Sequence, residues 1–208
     1  MSVGGGCVKV IGLCGGSGSG KGTVANIFSF YGIPSIDTDA VYHNLTSTKT
    51  PCLEALVNEF GVGVLDENGL LDRKKLAKIV FAQSDSDTKL HALNSISHKF
   101  VLDKTREILE NHKKCGTPAV IVDAPLLFES GFNNECDAII AVVADDDIKI
   151  SRIMKRDIIS KEDAIARIKK QLPDEYLVKN ADYIINNCTN LSDVEIMVRE
   201  IAEKILTT

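Results

Sequence analysis

Val8, Val10, Ile11 and Leu13 make a short apolar run, after which Val24, Ile27, Phe28 and Tyr31 recur at the spacing of one helix face until Gly32. The pattern predicts a buried strand over Lys9–Leu13 and a helix that glycine stops. Ile33–Ile36 predicts a second strand ending in Asp37, and strand, helix, strand is the right-handed crossover unit of a parallel sheet. Ala119–Val122 and Ala138–Val143 are unbroken apolar runs, as strands covered on both faces are, and Tyr183–Ile185 predicts a last strand. From Pro51 to about Asn111 the periodicity is helical, with a tight turn at Asp66-Glu67-Asn68-Gly69 and an apolar stripe of Leu90, Leu93, Ile96, Phe100, Val101 and Ile108. Ser160 with Asp163 and Ser192 with Glu195 predict helix starts, the second ahead of an amphipathic helix carrying Val194, Met197, Val198, Ile201 and Ile205. The fold class that follows is α/β, three layers around a parallel sheet of about five strands.

The first strand runs into Gly15-Gly16-Ser17-Gly18-Ser19-Gly20-Lys21-Gly22-Thr23, which fits G-x-x-x-x-G-K. Glycines let consecutive N–H groups converge on one anion, and a helix starting near Lys21 adds its positive end while the ammonium reaches the outer phosphates. This is a P-loop NTPase signature and points to ATP, with Gly16 to Thr23 as its cradle. Gly22 stands where the common pattern has Ser or Thr, so the hydroxyl that often binds Mg²⁺ is missing. Thr23 and Asp123, partly through water, are then the candidate metal contacts. Asp123 closing a strand is also a turn former. Asp37 and Asp39, placed at the junction of the second strand with its loop, are candidates to bind a hydroxylic acceptor and take its proton. The run from Ser151 to Lys170 holds Arg152, Lys155, Arg156, Lys161, Arg167, Lys169 and Lys170. Such a run is a solvated face in most proteins, but beside a phosphate loop it suits a mobile lid that closes cations over the transferring group.

At 208 residues, 44% of them hydrophobic, the chain suits one domain with excursions. A net charge of -5 gives no global attraction to nucleic acid or anionic membrane. No apolar stretch approaches a bilayer span, and Met1–Gly6 lacks the features of a secretory signal, so the expectation is a soluble, cytoplasmic protein; a monomer is favoured, but the sequence does not fix the oligomeric state. Cys7, Cys14, Cys52, Cys115, Cys136 and Cys188 are scattered without metal-ligand spacing and read as reduced thiols. Cys14 adjoins the glycine loop, where positive charge would lower its pKa, but it reads better as apolar filler.

Ile11-Gly-Leu-Cys-Gly-Gly-Ser-Gly-Ser-Gly-Lys21, Gly32-Ile-Pro-Ser-Ile-Asp-Thr-Asp39, Asp123-Ala-Pro-Leu-Leu-Phe-Glu129, and Gln171-Leu-Pro173 leading to Ala181-Asp-Tyr-Ile-Ile-Asn-Asn187 occur in this order, with Met154-Lys-Arg-Asp157 in the basic segment. Together they resemble the dephospho-coenzyme A kinases across nearly the whole chain. The resemblance implies transfer of the ATP γ-phosphate to the ribose 3′-hydroxyl of dephospho-coenzyme A, with Mg²⁺. It implies Asp39 as the catalytic aspartate, with Lys21 and Arg156 catalytic beside it, Arg152 as a second lid cation at the ATP site, and Asn187 near adenine. Asp37, Asp123, Leu126 and His98 fall on the acceptor side, although Lys99 replaces the proline that usually follows that histidine. The implied layout is a single P-loop kinase domain, 1–208, with core segments 8–50, 115–147 and 180–208, a helical acceptor-binding region at 51–114 and a lid at 148–179. Gly-Lys-Gly-Thr is the form of the adenylate kinases, which keeps a nucleoside monophosphate kinase as an alternative. A non-catalytic nucleotide switch is a third.

Overall fold

Each predicted apolar run is a strand in the computed structural model, which describes residues 8–82 and 86–207; Cys7 and Met1–Gly6 lie outside the described residues. β1 (Lys9–Cys14), β2 (Ser35–Asp37), β3 (Ala119–Asp123), β4 (Ala138–Val143) and β5 (Tyr183–Asn186) form one parallel sheet in the order β2-β3-β1-β4-β5. The helices are α1 (Lys21–Phe30), α2 (Thr38–Thr46), α3 (Pro51–Phe60), α4 (Arg73–Val80), α5 (Ser86–Lys114), α6 (Asp146–Asp157), α7 (Lys161–Lys169), α8 (Asp174–Lys179) and α9 (Leu191–Thr207).

Two compact units divide the chain. One comprises the chain up to Asp37 and from Leu109 onward, the other Thr38–Ile108. In the first unit, Val24 and Phe28 of α1 and Val194, Val198 and Ala202 of α9 pack with Ile11, Leu13, Ile121, Ile140 and Val142 of the sheet. These strand residues are almost fully buried, so nothing polar interrupts the runs. α8 packs on β4 and a short 3-10 turn, Phe132–Glu135, packs on β1. From central β1 the chain goes first toward β2 and β3 and later to β4 and β5, so the carboxyl end of β1 is the switch point where such sheets open a crevice.

In the second unit, Val64, Leu76 and Val80 form a small core with Val57, Phe60, Leu90 and Leu93. The predicted turn at Asp66 is present: the Asp66 carboxylate accepts from the amides of Asn68 and Leu70, and Leu65 bridges Leu71 across it. Thr50 caps α3 ahead of Pro51, and Asp72 caps α4 through the amides of Lys74 and Lys75.

Two expectations are corrected. β2 passes directly into α2, so Asp39 lies in a first helical turn rather than in a loop, where the helix dipole favours a carboxylate. The last helix starts two residues earlier than Ser192 implied: Asn190 Oδ1 accepts from the Asp193 amide at 3.0 Å while Asp193 accepts from Asn190 Nδ2, so the reciprocal cap is made at Asn190. Ser160 does cap α7, accepting from the Asp163 amide at 3.1 Å.

Phe28 is fully buried between α1 and the sheet. Phe28→Ala is expected to lower stability by about 3–5 kcal/mol, read as a shift of the urea unfolding midpoint.

Candidate functional site

The loop between β1 and α1 is held in shape by its surroundings. Gly18 (φ 81°) and Gly20 (φ 94°) adopt left-handed backbone, and a Cβ at Gly18 would lie 2.6 Å from the carbonyl oxygen of Lys149. At Gly20 it would lie 2.1 Å from Nδ2 of Asn187. Arg152 of α6 donates Nη1 to the carbonyls of Gly18 (3.1 Å) and Ser19 (3.3 Å) and Nη2 to the carbonyl of Asn187 (3.1 Å). Buried Asn187, just past β5, donates Nδ2 to the Ser19 carbonyl at 2.7 Å. With those carbonyls turned to the back of the loop, the amides of Gly18, Gly20, Lys21 and Gly22 take no acceptor among the described residues. The hydroxyl of Ser19 is buried beneath them without a hydrogen-bond partner. A set of unanswered donors at a helix N-terminus fits a polyphosphate.

Lys21 bends back to donate Nζ to the carbonyl of Gly15 at 2.8 Å. Thr23 is exposed, and a Cβ at Gly22 would meet nothing within 4 Å. Burial pushes the Cys14 thiol up to about 12 even with Lys21 acting against the shift, so Cys14 is apolar filler. Parallel register sets Asp37 beside Asp123 and Asp123 beside Leu13, so two carboxylates share the carboxyl edge next to the strand that enters the loop. Among the described residues no three His, Cys, Asp or Glu side chains cluster to hold a metal by themselves. Leu126 follows β3 and is exposed, lining a small cavity with Gly15, Gly16 and Phe128.

The basic segment is a folded unit with structural charges of its own. Ile150 and Ile153 of α6 pack on Ala164, Ile165 and Ile168 of α7. Lys149 is buried and ion-paired with Asp146 at 2.8 Å and Asp174 at 3.0 Å. Burial would lower its pKa, but the two carboxylates outweigh that and hold it above the ordinary lysine value. Arg156 donates Nε and Nη2 to Asp157 at 2.8 and 3.0 Å, and Arg167 pairs with the same carboxylate. Those arginines hold the Asp157 pKa below its usual range. Arg156 Nη2 also donates to Ser17 Oγ at 3.3 Å, and the Ser17 amide donates to Gln171 Oε1 at 2.7 Å.

Within the first unit the fold therefore assembles Gly16–Thr23, Arg152, Arg156 and Asn187, with Asp37 and Asp123 together at the strand ends. Asp39 and His98 belong to the second unit, in the first turn of α2 and midway along α5. Residue reasoning assigned no role to Lys149, Asp157, Asp174 or Gln171. Asp157 and Arg167 sit ten residues apart in a basic run and carried a weak signal; the Gln171–Ser17 contact spans 154 residues and carried none.

The dephospho-CoA kinase family model matches residues 9–193. A dephospho-CoA kinase of Fusobacterium nucleatum is 38% identical over 198 residues, 95% of this chain and 99% of that one. A crystal structure from Thermus thermophilus aligns with a TM-score of 0.78 at 31% identity, covering 95% of this chain and 97% of that one. A dephospho-CoA kinase from Campylobacter jejuni aligns with a TM-score of 0.68 at 27% identity, covering 94% and 96%.

Gly20→Ala meets both a backbone penalty and the Asn187 amide, so ATP binding measured by calorimetry should weaken about tenfold or more. Between pH 7 and 9, alkylation of Cys14 followed by mass spectrometry should run at least ~10³-fold slower than that of exposed Cys115, because its thiolate is scarce below about 12.

Proposed function

Because the chain belongs to the dephospho-CoA kinase family, we propose that it transfers the γ-phosphate of ATP to the ribose 3′-hydroxyl of dephospho-coenzyme A, releasing coenzyme A and ADP. The observation that carries this reading is the family match over residues 9–193, which spans the phosphate loop, the acidic strand ends and the lid alike.

The unanswered amides of Gly18, Gly20, Lys21 and Gly22 receive the polyphosphate, and Lys21 exchanges the Gly15 carbonyl for the β/γ-phosphate oxygens. Arg152 and Asn187 serve ATP through the loop that they brace, with Asn187 on the adenine side. Arg156 reaches over the loop from the end of α6 and offsets charge on the equatorial oxygens as the phosphoryl group transfers. Asp39 orients the acceptor hydroxyl and takes its proton, which leaves late in a loose transition state, so alignment matters more than basicity. Asp37, Asp123, Leu126 and His98 are the residues we assign to recognition of the acceptor. The helical region 51–114 binds the acceptor and 148–179 is the lid. The donors fit Mg²⁺ carried mainly by phosphate and water: Thr23 and Asp123 would contribute oxygens, and the ion would neutralise charge on the β- and γ-phosphates. Among the described residues no helix is long and apolar enough to cross a membrane, and we place the enzyme in the cytoplasm, where ATP is supplied.

ADP release from ATP and Mg²⁺ should be stimulated by dephospho-coenzyme A, with coenzyme A appearing, and not by AMP or CMP. Stimulation by a nucleoside monophosphate, or turnover without acceptor, would overturn the reading. Asp39→Asn should lower kcat by about 10²-fold or more while the calorimetric ATP Kd stays within about threefold, and turnover at the wild-type rate would remove Asp39 from the base role.

A further inference from the structure

The helical excursion that contains α7 departs from the end of α6 after Asp157 and returns at Gln171, and both ends of it grip one residue of the phosphate loop. At the outgoing end, Arg156 Nη2 donates to Ser17 Oγ at 3.3 Å. At the returning end, Gln171 Oε1 accepts from the Ser17 amide at 2.7 Å. We propose that Gln171 is a positioning residue for the kinase reaction: by holding the Ser17 amide it fixes where the Ser17 hydroxyl stands, and that hydroxyl, with Asp157, sets the Arg156 guanidinium over the loop.

Ser17 lies between Gly16 and Gly18, the least constrained neighbours a backbone can have. Ser17 would be conformationally loose without an external acceptor for its amide. Gln171 supplies that acceptor from a place that is itself fixed: its own amide donates to the Ile168 carbonyl just past α7, and three residues on Asp174 is pinned by buried Lys149. The Arg156 side chain is 60% exposed, so burial does little to choose its rotamer. What restricts it is polar: both Asp157 oxygens, the Arg167 charge sharing that carboxylate, and Ser17 Oγ. The backbone reinforces the arrangement at Ile158, which ends α6 in left-handed conformation (φ 54°) while 92% exposed. A β-branched residue is rarely found there, so the turn from α6 toward α7 is held by its surroundings rather than by its own preference. Unlike the amides of Gly18, Gly20, Lys21 and Gly22, the Ser17 amide is committed, to Gln171, so the contribution of Ser17 runs through its hydroxyl and the arginine.

This inference rests on the catalytic reading of Arg156, and a double-mutant cycle separates the two. Arg156→Ala, Gln171→Met and the pair would be compared for kcat at saturating dephospho-coenzyme A, for calorimetric ATP Kd and for Tm. Gln171→Met should lower kcat about tenfold with the ATP Kd within about threefold, and should change kcat less than about twofold once Arg156 is already alanine. Losses that multiply in the pair, or a weakened ATP Kd with kcat preserved, would overturn the positioning role while leaving Arg156 catalytic. Wild-type kcat in Arg156→Ala would overturn both. Should Gln171→Met fold poorly by Tm, Ser17→Ala replaces it, keeping the amide and deleting the hydroxyl. It should show the same kcat loss and the same absence of further effect beside Arg156→Ala, and full activity in Ser17→Ala would sink the proposal.

Discussion

A loop that presents its amides to an anion must find partners for its carbonyls elsewhere, because a polar backbone group left buried and unpaired costs about as much as a lost hydrogen bond. Here the carbonyls of Gly18 and Ser19 are answered by Arg152 and Asn187, which approach from α6 and from the end of β5. The rest of the first unit can be derived from that requirement. A parallel sheet puts all carboxyl ends on one edge, so Asn187 after β5 and the helix after β4 arrive on the same side as the loop after β1. The order β1-β4-β5 then brings them against the loop from one flank, and β3 and β2 bring Asp123 and Asp37 in from the other. Gly20 must be glycine because the Asn187 amide occupies the space a side chain would need.

The basic segment carries a division of labour among like charges. Lys149 is consumed by structure: it is buried, tied to Asp146 and Asp174, and holds the start of α6 to the start of α8. Its pKa stands above the ordinary lysine value, so the stabilisation it contributes is fully present below about 10.5 and is lost only as pH rises through the folded pKa; across the physiological range it is constant. Arg152 is consumed by the loop. Arg156 keeps a large exposed surface while Asp157 and Ser17 set its direction, the arrangement on which its proposed role rests.

The division between what could and could not be read from the chain follows the range of each interaction. The strands were legible because burial on both faces removes polar residues from Ile121 or Ile140 and their neighbours, a property of consecutive positions. The glycine loop was legible because its constraints fall on adjacent residues. The arginines of the basic segment were legible as charge but not as geometry: sequence shows that Arg152 is a cation, and only folding shows that its donors face carbonyls rather than solvent. Gln171 stood in a family landmark, but its contact was beyond reach because its partner lies 154 residues away along the chain. The misplaced last helix start has a local cause, since Asn190 and Ser192 are both good caps and their competition is settled by which one meets an amide three residues on.

Gly22 separates geometry from chemistry within the loop. Gly18 and Gly20 combine positive φ with a blocked Cβ position, whereas Gly22 has neither: its φ is ordinary for the first turn of a helix, and a Cβ there would face open space. Packing therefore does not require glycine at this position, and helix propensity disfavours it by roughly 0.5–1 kcal/mol relative to alanine. What glycine does change is the set of oxygens close to the outer phosphates, because the amide stays available while no hydroxyl accompanies it. The phosphate cradle thus needs only the backbone amide of position 22, and on the proposed reading the oxygens lent to the metal come from Thr23, from Asp123 at the end of β3, or from water.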